Sequence, residues 1–150
     1  MKQSAGILLF RCAEKLQVFL VHPGGPYFAR KDNGWWTIPK GEFESPEEPL
    51  DAAIREFKEE TGIALSGSFI PMQPIIQKGG KKVHCWALEG DIDAERISSN
   101  VFQIEWPPKS GKLQTFPEID KAGWFFMEEA IEKINDKQIP LLEQLTRLVG

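Results

Sequence analysis

Residues 41–63 read GEFESPEEPLDAAIREFKEETGI, and the second half of that stretch predicts a helix with one face crowded by carboxylates. Ser45 suits an N-cap, Pro46 suits the first helical position, and Glu48 follows the cap by three residues, the pattern of a capping box. The helix is therefore expected to begin near Pro46 and to stop at Gly62. At about 100° per residue, Leu50, Ala53, Ile54 and Phe57 gather into one core-facing stripe. Measured from Leu50, Glu59, Glu56 and Glu60 fall at roughly 180°, 240° and 280°, which places three carboxylates on the side away from that stripe.

Like charges one turn apart repel, so such a cluster needs a compensating partner. A solvated face with an Arg55–Glu59 ion pair is one arrangement. A bound hard cation is the other, and carboxylate oxygens suit Mg²⁺ or Mn²⁺. The wider spacing favours the cation. Gly41, then Glu47 after five residues, then Arg55 and Glu56 after seven more, an apolar Phe57, Glu59, Glu60, Gly62 and an apolar Ile63 resemble the complete signature of the Nudix hydrolase family. At average composition, seven fixed identities coincide by chance in roughly one window in 10⁸.

The rest of the chain is consistent with one domain over residues 1–150, long enough to bury a core. Hydrophobic residues make up 41% and charged residues 27%, an ordinary globular balance that excludes a low-complexity or disordered chain. The first ten residues carry one Lys and too short an apolar run for a signal peptide, and no stretch approaches a membrane span; a cytoplasmic location is the expectation. Cys12 and Cys85 form no CxxC pattern, which argues for two reduced, half-buried thiols. The net charge of −4 is uneven: eight acids and two bases fall within residues 41–63, leaving the remainder at +2. A local cation site on a near-neutral surface follows, and broad nucleic-acid binding does not.

Ser4 to Phe10 and Leu16 to His22 read as two strands, with His22 a satisfied strand-end residue. The turn-rich string from Pro23 to Gly34 reads as a surface loop, and Tyr27, Phe28, Arg30 and Lys31 on it could meet a base or a phosphate as well as pack. Phe69 to Gln77, broken by Pro71 and Pro74, suggests an edge strand, and Lys81 to Leu88 and Val101 to Trp106 suggest two more. Residues 107–116 read as a loop presenting Lys109 and Lys112. Two closing helices are expected over Met127 to Ile134 and Ile139 to Val149, the second with a stripe of Leu141, Leu142, Leu145 and Leu148.

The resemblance extends beyond the signature. The run WTIPKGE over residues 36–42 and KKVHCWAL over 81–88 are similar to segments of Nudix enzymes that cleave diadenosine tetraphosphate and related polyphosphates, although Cys85 stands where those often carry Tyr. FPEIDKAGW is similar to the segment in which a glutamate six residues before a strand Trp joins the metal site, which selects Glu118, with Trp124, over Glu105.

The resemblance implies a Nudix-type α/β/α sandwich with a mixed sheet, and hydrolysis of a nucleoside diphosphate linked to a group X. It assigns the metal to Glu56, Glu59, Glu60, Glu118 and the Gly41 carbonyl, and gives Arg55 the task of orienting a glutamate. The proton acceptor is Glu56 or Glu118. Lys40, Trp36, Lys81 and Lys82 are the implied substrate contacts, the substrate being a small nucleotide. A dinucleoside polyphosphate leads; a nucleoside triphosphate pyrophosphohydrolase is the second reading, removal of pyrophosphate from an RNA 5′ end a third, and a non-catalytic nucleotide-sensing or protein-binding domain the alternative of another class.

Overall fold

The computed structural model describes residues 2–149. In chain order its strands are β1 (Gln3–Ala13), β2 (Lys15–Pro23) and β3 (Lys40–Phe43), then β4 (Ile70–Pro71), β5 (Ile75–Gln77), β6 (Lys81–Glu89), β7 (Val101–Glu105), β8 (Leu113–Pro117) and β9 (Ile119–Phe126). The helices are α1 (Pro49–Thr61), α2 (Met127–Lys133) and α3 (Ile139–Val149).

β1 is the axis of a seven-stranded sheet. Along one edge its second half pairs antiparallel with β2, from Phe10 opposite Val18 to Ala13 opposite Lys15. Its first half pairs antiparallel with β3, from Gln3 opposite Phe43 to Gly6 opposite Lys40. Along the other edge β6 runs parallel to it over eight residues, which makes the sheet mixed. β9 closes the β2 side. The broken stretch around Pro71 and Pro74 lies on the far edge of β6 as two short strands, where a missing N–H costs no ladder bond.

Helices cover both faces. β1 alternates as a doubly covered strand does: Ala5, Ile7 and Leu9 join Phe19, Val21, Ala53 and Phe57 under α1, while Leu8 and Phe10 join Val18, Leu20, Leu141 and Leu145 under α2 and α3. Leu141, Leu142 and Leu145 are almost fully buried, each contributing about 1.5–3 kcal/mol by burial. Leu148, the fourth member of the expected stripe, lines a surface groove beside Pro71 and Met72 and is 49% exposed.

Four expectations are corrected. The helix begins at Pro49, not Pro46, with Glu48 as an extended N-cap that makes no side-chain cap bond; a residue preceding proline is pushed out of the helical region, so Pro49 sets the boundary. The buried residues of α1 are Ala52, Ala53, Phe57 and Thr61, with Leu50 only partly buried and Ile54 outside the core cluster. Residues 107–116 are not all loop, because β8 pairs with β7 in a separate two-stranded ribbon. Cys12 is exposed and Cys85 buried rather than both half-buried, and burial pushes the Cys85 thiol up to about 12.

Candidate active site

The glutamates are organised by one guanidinium. Arg55 donates from Nε to Glu47 Oε2 at 2.8 Å and from Nη2 to Glu47 Oε1 at 2.9 Å. Its Nη1 donates to Glu56 Oε2 at 2.7 Å and to Glu59 Oε2 at 2.8 Å. A planar fork can serve a carboxylate bidentately and still reach others, which a lysine ammonium cannot do with the same geometry. Glu47, two residues before the helix, is thus the principal partner that raises the Arg55 pKa. Its own carboxyl is lowered by the same bond.

Sequence periodicity puts Glu56 and Glu60 on the side away from the core, and the structure corrects this. α1 packs against both β1 and β3, so the margin of its buried face, where these two side chains stand, meets β3. The Glu56 side chain is 13% exposed. A methyl group added at Gly41 would sit 1.8 Å from Glu56 Oε1, so only glycine leaves room for the carboxylate against this strand. Burial and then the neighbouring Glu59 carboxylate push Glu56 up to about 7. Burial, then Glu56, pushes Glu60 up to about 8, opposed by the Lys40 backbone amide. Glu60 Oε1 is buried and has no hydrogen-bond partner among the described residues.

That set of donors fits a hard divalent cation. A buried carboxylate oxygen without a donor is costly unless something positive meets it, and the Gly41 carbonyl with Glu56, Glu59 and Glu60 offers only oxygen, the ligand type of Mg²⁺ and Mn²⁺. Among the described residues, no three acidic, His or Cys side chains are already converged as a cage. Glu56 and Glu59 instead turn one oxygen each to Arg55, which offsets their mutual repulsion.

Glu118 lies near enough for its charge to act on Glu60, and the strap that brings it there is the part that sequence reasoning missed. Asn100 donates its backbone N–H to the Glu59 carbonyl, and its own carbonyl accepts from the Glu118 N–H, both at 2.8 Å. Ser98 likewise caps the Thr61 carbonyl at 2.9 Å. Residues 98–100 therefore satisfy carbonyls left open at the end of α1 and pin Glu118 beside it. Burial and then the charge of Glu59 raise the Glu118 pKa. Glu105 is spent elsewhere, accepting the N–H groups of Lys109 and Gly111 in the β7–β8 turn.

The four expected substrate contacts divide. Lys40 lies near Lys81, Glu60, Glu42 and Glu56, and its pKa is lowered by burial first and Lys81 second. Lys81 Nζ is 3.9 Å from Glu42. Lys82 alternates to the other face of β6, where its charge acts on His84. Trp36 is corrected to a packing residue: it is 6% exposed in the core under α2 and α3, edge-on to His22 and Phe125, with its indole N–H on Asp32. No open ring face is left for a base. His22 is the satisfied strand-end residue expected, fully buried between Asp120 and the Lys31 carbonyl at 2.8 and 2.6 Å. A cleft of about 430 Å³ beside Lys2, Glu42 and Ser45 lies at the neighbouring end of β3, and none of Glu56, Glu59, Glu60 or Glu118 lines it.

Comparison with known proteins gives the same fold. The NUDIX domain pattern matches residues 2–145. An uncharacterized Nudix hydrolase of Bacillus subtilis, YvcI, is 37% identical over 86 residues, which cover 54% of this chain and 50% of that protein; the chain thus spans about half the length of this curated relative. An Ap4A hydrolase of C. elegans in a binary complex superimposes with a TM-score of 0.65 at 24% identity, covering 97% of each chain. The NUDIX domain of Shewanella oneidensis NrtR complexed with ADP ribose superimposes with a TM-score of 0.69 at 14% identity, covering 99% of this chain and 88% of that one.

Proposed function

The chain belongs to the Nudix family, and from that premise we propose that it is a divalent-metal-dependent hydrolase of nucleoside diphosphates linked to a group X, with a dinucleoside polyphosphate such as diadenosine tetraphosphate as substrate. The observation that carries the reading is the Arg55-ordered cluster in which Glu60 Oε1 is buried without a partner and Glu56 is pressed against Gly41. The WTIPKGE and KKVHCW runs support the choice of substrate, as does the fold shared with an Ap4A hydrolase.

In this reading Glu56, Glu59, Glu60 and the Gly41 carbonyl hold Mg²⁺ or Mn²⁺. Such an ion, when bound, offsets negative charge on the phosphates and lowers the pKa of water. Arg55 keeps the carboxylates at fixed spacing, with Glu47 holding the guanidinium in plane. Lys40 and Lys81 face the polyphosphate and oppose its charge. Of the two glutamates that could accept a proton, Glu56 already binds Arg55, whereas Glu118 makes no such bond; Glu118 takes the proton as a water oxygen attacks phosphorus and the P–O bridge leaves with its electron pair. The single-domain organisation over 1–150 is part of the same proposal.

Product analysis tests it. Diadenosine tetraphosphate should give ATP and AMP in the presence of Mg²⁺ or Mn²⁺. Release of inorganic pyrophosphate from a nucleoside triphosphate, with the dinucleotide untouched, would assign nucleotide-pool sanitation instead. Tight nucleotide binding with no turnover in either metal would assign a sensing or partner-binding domain.

A further inference from the structure

Two segments outside the carboxylate cluster are built to touch each other. The loop after β2 enters through Gly24 and Gly25, and both positions need glycine: a Cβ at Gly24 would lie 2.1 Å from the Pro117 carbonyl oxygen, and one at Gly25, where φ is +98°, would lie 2.8 Å from the Phe102 ring. Side chains at either position would separate the loop from the β7–β8 ribbon. Two residues further on, Tyr27 meets Trp106 at the ribbon's far end, edge to face, with centroids 5.1 Å apart. Tyr27 remains 60% exposed despite this contact.

The pair is fastened to the carboxylates from both sides. Gly24 donates its N–H to the Glu118 carbonyl, and the Glu118 N–H is held by Asn100 at the root of β7. Three residues of chain keep Tyr27 within about 10 Å of Gly24. The far side of the loop is fixed by the bond between His22 and the Lys31 carbonyl. An exposed Tyr27 on a tethered loop and a half-buried Trp106 at the end of β7, beside exposed Lys109 and Lys112, have the composition of a nucleotide platform: a π-face for a base next to cations for phosphate.

We propose that Tyr27 and Trp106 form a stacking subsite for a base of the nucleotide substrate, so that specificity is set by the contact between the loop after β2 and the β7–β8 ribbon. The proposal rests on the nucleotide-hydrolase reading above and names where that substrate's base lies. Neither residue touches the reacting phosphate, so both act on binding.

The test compares Tyr27→Ala and Trp106→Ala with Tyr27→Phe and Trp106→Phe. Each alanine variant should raise KM for diadenosine tetraphosphate at least ~10-fold, within the range for loss of one base–aromatic stack, with kcat within ~3-fold of the parent. The phenylalanine variants should restore KM. Inorganic tetraphosphate, which has no base, should inhibit parent and alanine variants with the same constant. A dinucleotide KM unchanged in both alanine variants, or an inhibition constant for tetraphosphate that rises in parallel, would overturn the subsite. If the parent cleaves no nucleotide, the catalytic reading fails. The subsite then stands or falls on whether the alanine variants weaken equilibrium binding of a methylene-bridged dinucleotide.

Discussion

Glu59→Gln lowers kcat/KM by at least ~10²-fold and leaves thermal stability nearly unchanged; that is the expected result for a carboxylate whose charge, not shape, is used. Glutamine keeps the length of the side chain and an oxygen that can still accept from Arg55. Arg55 meanwhile retains its two bonds to Glu47 and one to Glu56. The Glu59 side chain is 36% exposed and its pairing with Arg55 is an i,i+4 helix pair, a kind that contributes only about 0.3–0.5 kcal/mol. Little stability is therefore at stake, while the cluster loses one unit of negative charge where a cation would bind. Steady-state kinetics and a thermal melt on the same sample check both halves. Activity within threefold of the parent would remove Glu59 from the metal-binding role.

Removal of divalent metal has the largest expected effect. EDTA should abolish turnover and added Mg²⁺ or Mn²⁺ restore it, because without a cation the Glu60 carboxylate is opposed by the neighbouring Glu56 charge, and Lys40 and Lys81 alone are left to offset the substrate phosphates. The same ions should raise the melting temperature, since a ligand at 100 times its dissociation constant stabilises the folded state by about 2.7 kcal/mol. Undiminished hydrolysis in EDTA would contradict the proposed chemistry.

Local signals in the chain were legible where one interaction decides. Gly62 ends α1 in the left-handed region with its N–H on the Lys58 carbonyl, and β1, β2 and β6 fall within a few residues of their apolar runs. Competing local signals misled at the helix start: Ser45–Pro46 and Pro49 are both plausible openings, and the choice depends on Glu48 being forced extended by the proline after it. The orientation of α1 was illegible because two alanines carry much of the buried face, and a small residue gives periodicity little weight. Where Glu56 and Glu60 point is then fixed by β3, a tertiary partner. The tie from Glu59 through Asn100 to Glu118 runs through backbone groups, which leave no side-chain signature. Trp36 lies beside the motif, where the resemblance implies a substrate contact, whereas its ring packs under the sheet face opposite α1. β8 was hidden in PPKSGKLQTF, whose prolines and glycine mark only the turn that precedes the strand.

The most direct test is a crystal structure of the protein with Mn²⁺ and a non-hydrolysable dinucleotide, read by anomalous scattering. An anomalous peak within coordination distance of Glu56, Glu59 and Glu60, with Glu60 Oε1 among its ligands and the bridging phosphates on its far side, is the predicted result. Nucleotide bound at full occupancy with no ion beside those three side chains would contradict the account.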